Sequence, residues 1–496
     1  MARYRVAGIG RDGPRPAVSA VRGRQLVARR AAAVGIALLA TLVAGCQTAG
    51  EGPVEDPVGT TKKPVKLTFM AYGPDEEVAA YEKTVKRFND ANETVKVSLV
   101  AAESEAEVVK RVAGEDPPDI YLLSRRDLGT VMEQGLNQPV EELLDARGIS
   151  FGDDYKRDAI AAFSGDSKVQ CMPYGVSPMV IYFNTALIDW AAMRDEGLDA
   201  PRSYSFWTFD QFAEAARFAA ARPGAKGVHI EPTLEGVAPF IYSGGGELFD
   251  DPKEPTTLTL SQEDSLAALG TVLDVLRDNK ITLTPKQLRQ ESALERFTTG
   301  KLGMIAGYRN LVPLLRSTPS LNFDVIPMPT LDSERTIGDV SGLCMAAEPA
   351  SVSAAADFIV HAISAESVAE VAEAGYLVPA NNEVAESEAF LQRDQFPAHA
   401  EVFNRSIRDI VTPPALESWA TLDEALHDQL HALFYARVLE DLQAAAEEID
   451  ETSRTVLSPP EDETTESPGA GEESTGPDEG DESPSATATS ESPGGE

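Results

Sequence analysis

Val65-Lys66-Leu67-Thr68-Phe69-Met70, followed closely by Pro74-Asp75-Glu76-Glu77, is the stretch whose reading decides the fold. The first six residues have the composition of a β-strand, and the next four place an N-cap and acids where a helix begins. In that helix Val78, Tyr81, Val85 and Phe88 recur at helical spacing with charges between them, so one face packs on a sheet. Moving outward, Val95-Lys96-Val97-Ser98-Leu99-Val100 reads as a second strand, Ala106 to Ala113 as a helix and Asp119-Ile120-Tyr121-Leu122-Leu123 as a third strand. Strand–helix–strand alternation implies a parallel sheet covered by helices. The same grammar returns later, with strands at Met179 to Phe183, Gly227 to Ile230, Leu302 to Ala306, Phe323 to Pro327 and Val340 to Ala346. Helices are expected at Phe209 to Ala221 and Ser265 to Arg277, and from Ala356 onward the chain reads as mainly helical. No fixed-period repeat is evident. In open α/β sheets ligands collect beyond the carboxyl ends of strands, which points to Tyr72, Arg125 to Asp127 and Gly307-Tyr308.

The two ends of the chain have different chemistry. Residues 1–30 carry eight Arg against the single acid Asp12, and Ala31 to Gly45 form an uncharged, mostly apolar run. That run is short for a membrane span, which needs about 20 apolar residues. A basic segment, a short apolar run and small residues at its end make a secretory signal, expected over 1–45. Leu42-Val43-Ala44-Gly45-Cys46 resembles the bacterial lipobox, which implies lipidation of Cys46 and a membrane anchor through it. Gln47 to Lys62 is polar and rich in Gly, Pro and Thr, so 46–62 reads as a flexible tether. Residues 457–496 hold twelve acids and no Lys or Arg, and a disordered acidic tail is expected over 456–496.

The 496 residues carry a net charge of −37, and the leader alone contributes +7, so the remainder carries −44. Such a surface repels nucleic acid and anionic headgroups, so no nucleic-acid partner is expected. The stretch between the ends, roughly 63–455, is long for one core and suggests two lobes. Besides Cys46 it holds only Cys171 and Cys344, which in an oxidising exterior are either bonded or buried as free thiols. No spacing resembles a zinc site, and neither a Gly-x-Ser-x-Gly elbow nor a glycine-rich phosphate loop is present. His427-Asp428-Gln429-Leu430-His431 puts two His on one helix face, but Asp428 stands where a zincin has Glu. No metal, cofactor or catalytic residue is therefore expected.

Over nearly all of 63–455 the segments add up to a pattern. Lys66-Leu67-Thr68-Phe69 is followed by Pro118-Asp119-Ile120, Glu133-Gln134-Gly135-Leu136, and Pro173-Tyr174-Gly175 leading to Ile181-Tyr182-Phe183-Asn184. Gly244-Gly245, Phe297-Thr298-Thr299-Gly300-Lys301-Leu302-Gly303-Met304 and Ser341-Gly342 before Ala356-Asp357-Phe358-Ile359 complete it. In order and spacing these resemble the carbohydrate-type extracellular solute-binding proteins of ABC transporters, family 1, the group related to maltose-binding protein. The resemblance implies an α/β, periplasmic-binding-protein-like (type II) fold, with two lobes joined by three hinge crossings around a ligand cleft. Matching segments put the crossings near Gly175-Val176-Ser177, Asp339-Val340-Ser341 and Tyr376 to Ala380. Lobe 1 is then 63–174 plus 344–375 and lobe 2 is 178–339 plus 380–455. Cys171 and Cys344 would flank the hinge, where a disulfide between them is compatible with the fold.

The resemblance also implies binding residues. Polar groups after the Pro-Asp strand fall on Arg125, Arg126 and Asp127, and the aromatics that line such clefts fall on Tyr72, Tyr174, Tyr182, Tyr308 and Trp419. Tyr182 also fits a core position in its strand, Arg309 follows Tyr308, and Gly244-Gly245 either brings amides to a ligand or makes a tight turn. The implied partners are a small polar solute, most readily a sugar, and ABC permease subunits, at the extracellular face of the membrane. Two other readings stay open: a ligand-sensing or adhesion lipoprotein on the same fold, and a secreted hydrolase.

Overall fold

The computed structural model describes residues 63–459 apart from 153, 415 and 417. Cys46, the signal-like segment, the tether and the acidic stretch after 459 lie outside those residues. The last helix, Leu442–Leu457, includes the first two positions of the tail expected from 456.

Strands β1 (Val65–Tyr72), β2 (Val95–Ala102) and β3 (Ile120–Ser124) form the parallel core read from the sequence. β1 is flanked by both others, so Leu67, Phe69, Met70 and Ala71 are buried on both faces, as parallel strands between helix layers require. The helix Asp75–Ala91 carries three acids in its first turn, which its N-terminal dipole favours, and buries Ala80, Tyr81, Thr84, Val85 and Phe88 along one face. β4 (Asn137–Gln138), the hairpin β5 (Ser164–Gly165) and β6 (Lys168–Val169), and β7 (Met172–Pro178) follow. Then come β8 (Val180–Asn184), β9 (Lys226–His229), β10 (Leu302–Gly307), β11 (Phe323–Pro327), β12 (Thr336–Ala346) and β13 (Ile410–Val411). The large sheet has the order β13-β12-β3-β1-β2, with β4 and β7 also pairing with β12.

The second sheet has the order β11-β8-β10-β9, and only β10 and β9 run parallel. The sequence grammar suggests parallel pairing here as well. β8 instead enters directly from β7, with Met179 alone between them, and no crossover helix intervenes to restore its direction. Side chains of β8 alternate between two cores. Val180 and Tyr182 join the cluster that begins at Leu67 and Phe69 and continues to Phe323 and Phe403. Ile181 and Phe183 join Phe212, Phe240, Met304 and Leu426 on the other face.

Three segments pass side by side between the sheets. β7 pairs antiparallel with β12, at Ser177↔Asp339, Val176↔Val340 and Gly175↔Ser341. On its other side Gly175 bridges Pro379, the Val176 amide donates to the Val378 carbonyl at 2.8 Å, and the Ala380 amide donates to the Tyr174 carbonyl at 3.0 Å. Cys171 and Cys344 are bonded, with Cα atoms 4.3 Å apart beside the Met172↔Leu343 pair. The bond therefore fastens β7 to β12 at the end that lies in the large sheet.

Candidate functional site

Where the carboxyl ends of β1, β2 and β3 face the elements around the second sheet, the chain leaves a cleft of three adjoining cavities that share Glu105. The innermost, about 230 Å³, lies between Arg125 and Arg126 on one side and Glu235, Tyr242 and Trp419 on the other, with Asp339 also in its wall. The outer one, about 700 Å³, opens between Tyr72, Asp127 and Asp423. A third, about 300 Å³, reaches the crossing strands at Ser177, Asp339 and Tyr376.

Local structure fixes each wall. Ser104 caps the helix Glu105–Val112 by accepting from the Glu107 amide at 3.3 Å, and the Glu107 carboxylate accepts from the Glu103 amide at 2.6 Å. This holds Glu105 in the first helical turn at the cleft. Arg125–Asp127 form a single 3₁₀ turn at the end of β3. Tyr308 follows β10, and its carbonyl accepts from the Tyr182 hydroxyl at 2.6 Å. Trp419 opens the helix Trp419–Tyr435 and donates its indole N–H to the Pro414 carbonyl at 3.2 Å.

Arg126 spans the cleft. Its Nη1 lies 3.1 Å from Glu235 Oε1 and its Nη2 3.8 Å from Asp423 Oδ2, while its guanidinium sits 4.7 Å from the centre of the Trp419 ring. All three partners stand on helices that pack into the second core. Arg125 differs, because its Nε and Nη1 are buried without a partner, and burial lowers its pKa.

The carboxyls of the cleft are shifted the other way. Burial, then Asp339 and Asp127, push Glu105 up to about 7 against the opposing influence of Arg126 and of a hydrogen bond with Ser124. Glu77 is also raised to about 7, by burial and Asp339, although it accepts from the Tyr81 hydroxyl at 3.2 Å. Burial by the surrounding protein and then Glu235 push Asp339 up to about 6 against the opposing influence of Arg126, with its side chain still open to the cleft. Asp127 is raised mainly by burial.

Tyr72, Arg125, Arg126, Asp127, Tyr308 and Trp419, expected from the sequence, all line these cavities. Five other expected residues do not. Tyr174 is buried against Tyr81, with ring centroids 5.9 Å apart, and Tyr182 is a core residue between Phe323 and Phe403. Arg309 is fully buried, donating to the Gly375 and Phe390 carbonyls at 3.1 Å each and lying over the rings of Phe390 and Phe403. Its amide donates to Ser177 Oγ at 2.8 Å, so Arg309 pins the crossing rather than facing a ligand. Gly244 and Gly245 form a turn: Gly245 has φ +84°, and a Cβ on Gly244 would stand 2.6 Å from that of Ala268. Glu77, Glu103, Glu105, Glu235, Tyr242, Asp339 and Asp423 are among the cleft residues that the sequence did not single out. Only Asp339 carried a signal, as part of a predicted crossing.

The chain was then compared with known proteins. No curated protein sequence matches it. Among solved structures, an ABC substrate-binding protein from Listeria monocytogenes in complex with cycloalternan is 18% identical, with a TM-score of 0.67 over 80% of this chain and 99% of that one. The GacH receptor of Streptomyces glaucescens, solved unliganded and with acarbose, is 19% identical, with a TM-score of 0.64 over 79% and 98%. The cyclic α-maltosyl-1,6-maltose binding protein of Arthrobacter globiformis is 17% identical, with a TM-score of 0.64 over 79% and 99%. At these identities the likeness establishes the type II binding-protein fold. The model of the family described as bacterial extracellular solute-binding protein matches residues 83–398, which covers most of the described region, with every strand except β1 and β13, the crossings and most of the cleft, and this chain belongs to that family.

Proposed function

We infer that this protein captures a carbohydrate at the extracellular face of the membrane and delivers it to the permease subunits of an ABC importer, without transforming it. The observation that carries the reading is the cleft itself. Tyr72, Tyr242 and Tyr308 offer faces for a pyranose, and Arg125, Asp127, Glu105 and Asp339 offer donors and acceptors for its hydroxyls. The complexes of two of these neighbours with cycloalternan and with acarbose, and the third's description as a cyclic α-maltosyl-1,6-maltose binding protein, support it. Lipid anchoring through Cys46 belongs to the same proposal and rests on the lipobox-like sequence.

The moving bodies in this reading are the large and small sheets with their helices, hinged where the chain passes 174–178, 339–344 and 375–380. A solute that touches both bodies favours the closed form, because only such a solute has the differential affinity that shifts the equilibrium. The closed form is then the one presented to the permease.

The test is a thermal-shift screen of the purified full chain against a panel of mono-, di- and oligosaccharides. A ligand at 100 times its dissociation constant adds about 2.7 kcal/mol to stability. Midpoints that move with amino acids or metal ions and with no carbohydrate would sink the sugar assignment.

A further inference from the structure

The lining of the cleft carries a large excess of carboxylates over cations. Three carboxylates, Glu105, Glu235 and Asp339, line its innermost cavity; the outer one adds Glu103, Asp127 and Asp423, and the third adds Glu77. Against them stand Arg125 and Arg126, and neither Lys nor His lines any of the three cavities. Arg126 is already committed to Glu235, Asp423 and Trp419. Arg125 offers its unpartnered nitrogens to an acceptor such as a ring hydroxyl.

We propose that the solute is polyhydroxylated and carries a protonated amine, which the carboxylates of Asp339 and Glu105 receive at the foot of the cleft. The inference rests on the carbohydrate reading above and narrows it. Asp339 lines two of the three cavities, and its carboxylate makes neither a hydrogen bond nor an ion pair among the described residues. It stands on β12 opposite Ser177, where the chain crosses between the sheets, so an ammonium there is reached from both. Besides burial, Asp339 raises the pKa of both Glu105 and Glu77, and Glu235 raises that of Asp339; Arg126 opposes this at Glu105 and Asp339 but is already paired with Glu235 and Asp423. A bound cation relieves the repulsion among these carboxylates, whereas a neutral hydroxyl donor does not.

Among the described residues no three acids, His or Cys come close enough together to hold a metal ion. The carboxylates are instead spread along a cavity of organic size, with Tyr72 and Tyr376 beside them to cover the face of an ammonium.

The experiment is calorimetric titration of the full chain with glucosamine and kanamycin, beside glucose, N-acetylglucosamine and maltose as neutral counterparts. An amine ligand is expected to bind, and Asp339→Asn to weaken it at least about tenfold, the loss of one charge-assisted hydrogen bond. Glu105→Gln should do the same, and unfolding midpoints no lower than the wild type's for both variants in the absence of ligand show that the fold is intact. If neutral sugars bind as tightly as the amines, or Asp339→Asn leaves amine affinity unchanged, the inference fails while the carbohydrate reading stands. If neither class binds, the carbohydrate reading fails and takes this inference with it.

Discussion

Arg126 and Glu235 face each other across the cleft at 3.1 Å, the first on the turn after β3 and the second in the opening turn of the helix Leu234–Ser243. They are the shortest ion pair between the two sides of the cleft among the described residues. Arg126 adds the Trp419 ring and Asp423 to the same closure.

Replacing Arg126 by Ala should therefore shift the unliganded protein toward an open form, read as a larger radius of gyration in small-angle scattering. Arg126→Lys should restore the compact form only in part, because an ammonium lacks the planar fork and stacks poorly. Both partners are at least a third exposed, so a double-mutant cycle of Arg126 with Glu235 should give a coupling of at most about 1 kcal/mol.

Stability of the unliganded protein should depend on pH through the cleft carboxyls. Glu77 and Glu105 rise from 4.5 to about 7 and Asp339 from 3.8 to about 6, so the folded state binds their protons more tightly than the unfolded chain does. The contribution of these groups to stability is then full below about pH 4, falls as pH rises and is lost above about 7. Melting curves from pH 4 to 8 check this. The Asp339→Asn and Glu105→Gln double variant should flatten that part of the profile and raise the midpoint at pH 7.5, and an unchanged profile would refute it.

Converting Cys171 and Cys344 together to Ser removes a link across 173 residues of sequence. A loop of that length sets the expected loss at about 3–5 kcal/mol, measured by denaturant unfolding with and without reductant. Reductant should lower the wild-type midpoint and leave the double variant where it is.

Arg309→Met should lower stability by about 3 kcal/mol or more, because the Gly375 and Phe390 carbonyls lose a buried charged donor and the Phe390 and Phe403 rings lose the guanidinium between them. Loss of solute affinity with stability unchanged would instead return Arg309 to the cleft.

What the sequence disclosed and what it hid divide along a physical line. The parallel trio β1, β2 and β3 was legible because periodicity and helix caps are local signals, and Tyr72, Arg125, Arg126 and Asp127 followed as residues beyond strand ends. Trp419 was found by likeness to a family pattern, and Tyr308 both by that likeness and by its place beyond the end of a strand. Glu105 and Asp339 were not found as site residues: a carboxylate on a solvated loop and one in a cleft look alike until tertiary structure surrounds them. Tyr174, Tyr182 and Arg309 erred the other way. Tyr174 and Arg309 stand next to cleft residues in sequence and Tyr182 lies on the strand after a crossing, but strand alternation or burial of the crossing turns each side chain inward.

The fastening of β7 to β12 by Cys171–Cys344 has a kinematic consequence. With one end of the ribbon riveted, rotation has to concentrate at the free end, near Ser177 and Asp339. A point on an axle travels little, so in the proposed hinge motion the Asp339 carboxylate would keep nearly the same coordinates whether the jaws are apart or together. A solute can thus moor there first, and the remaining contacts swing in around a fixed datum.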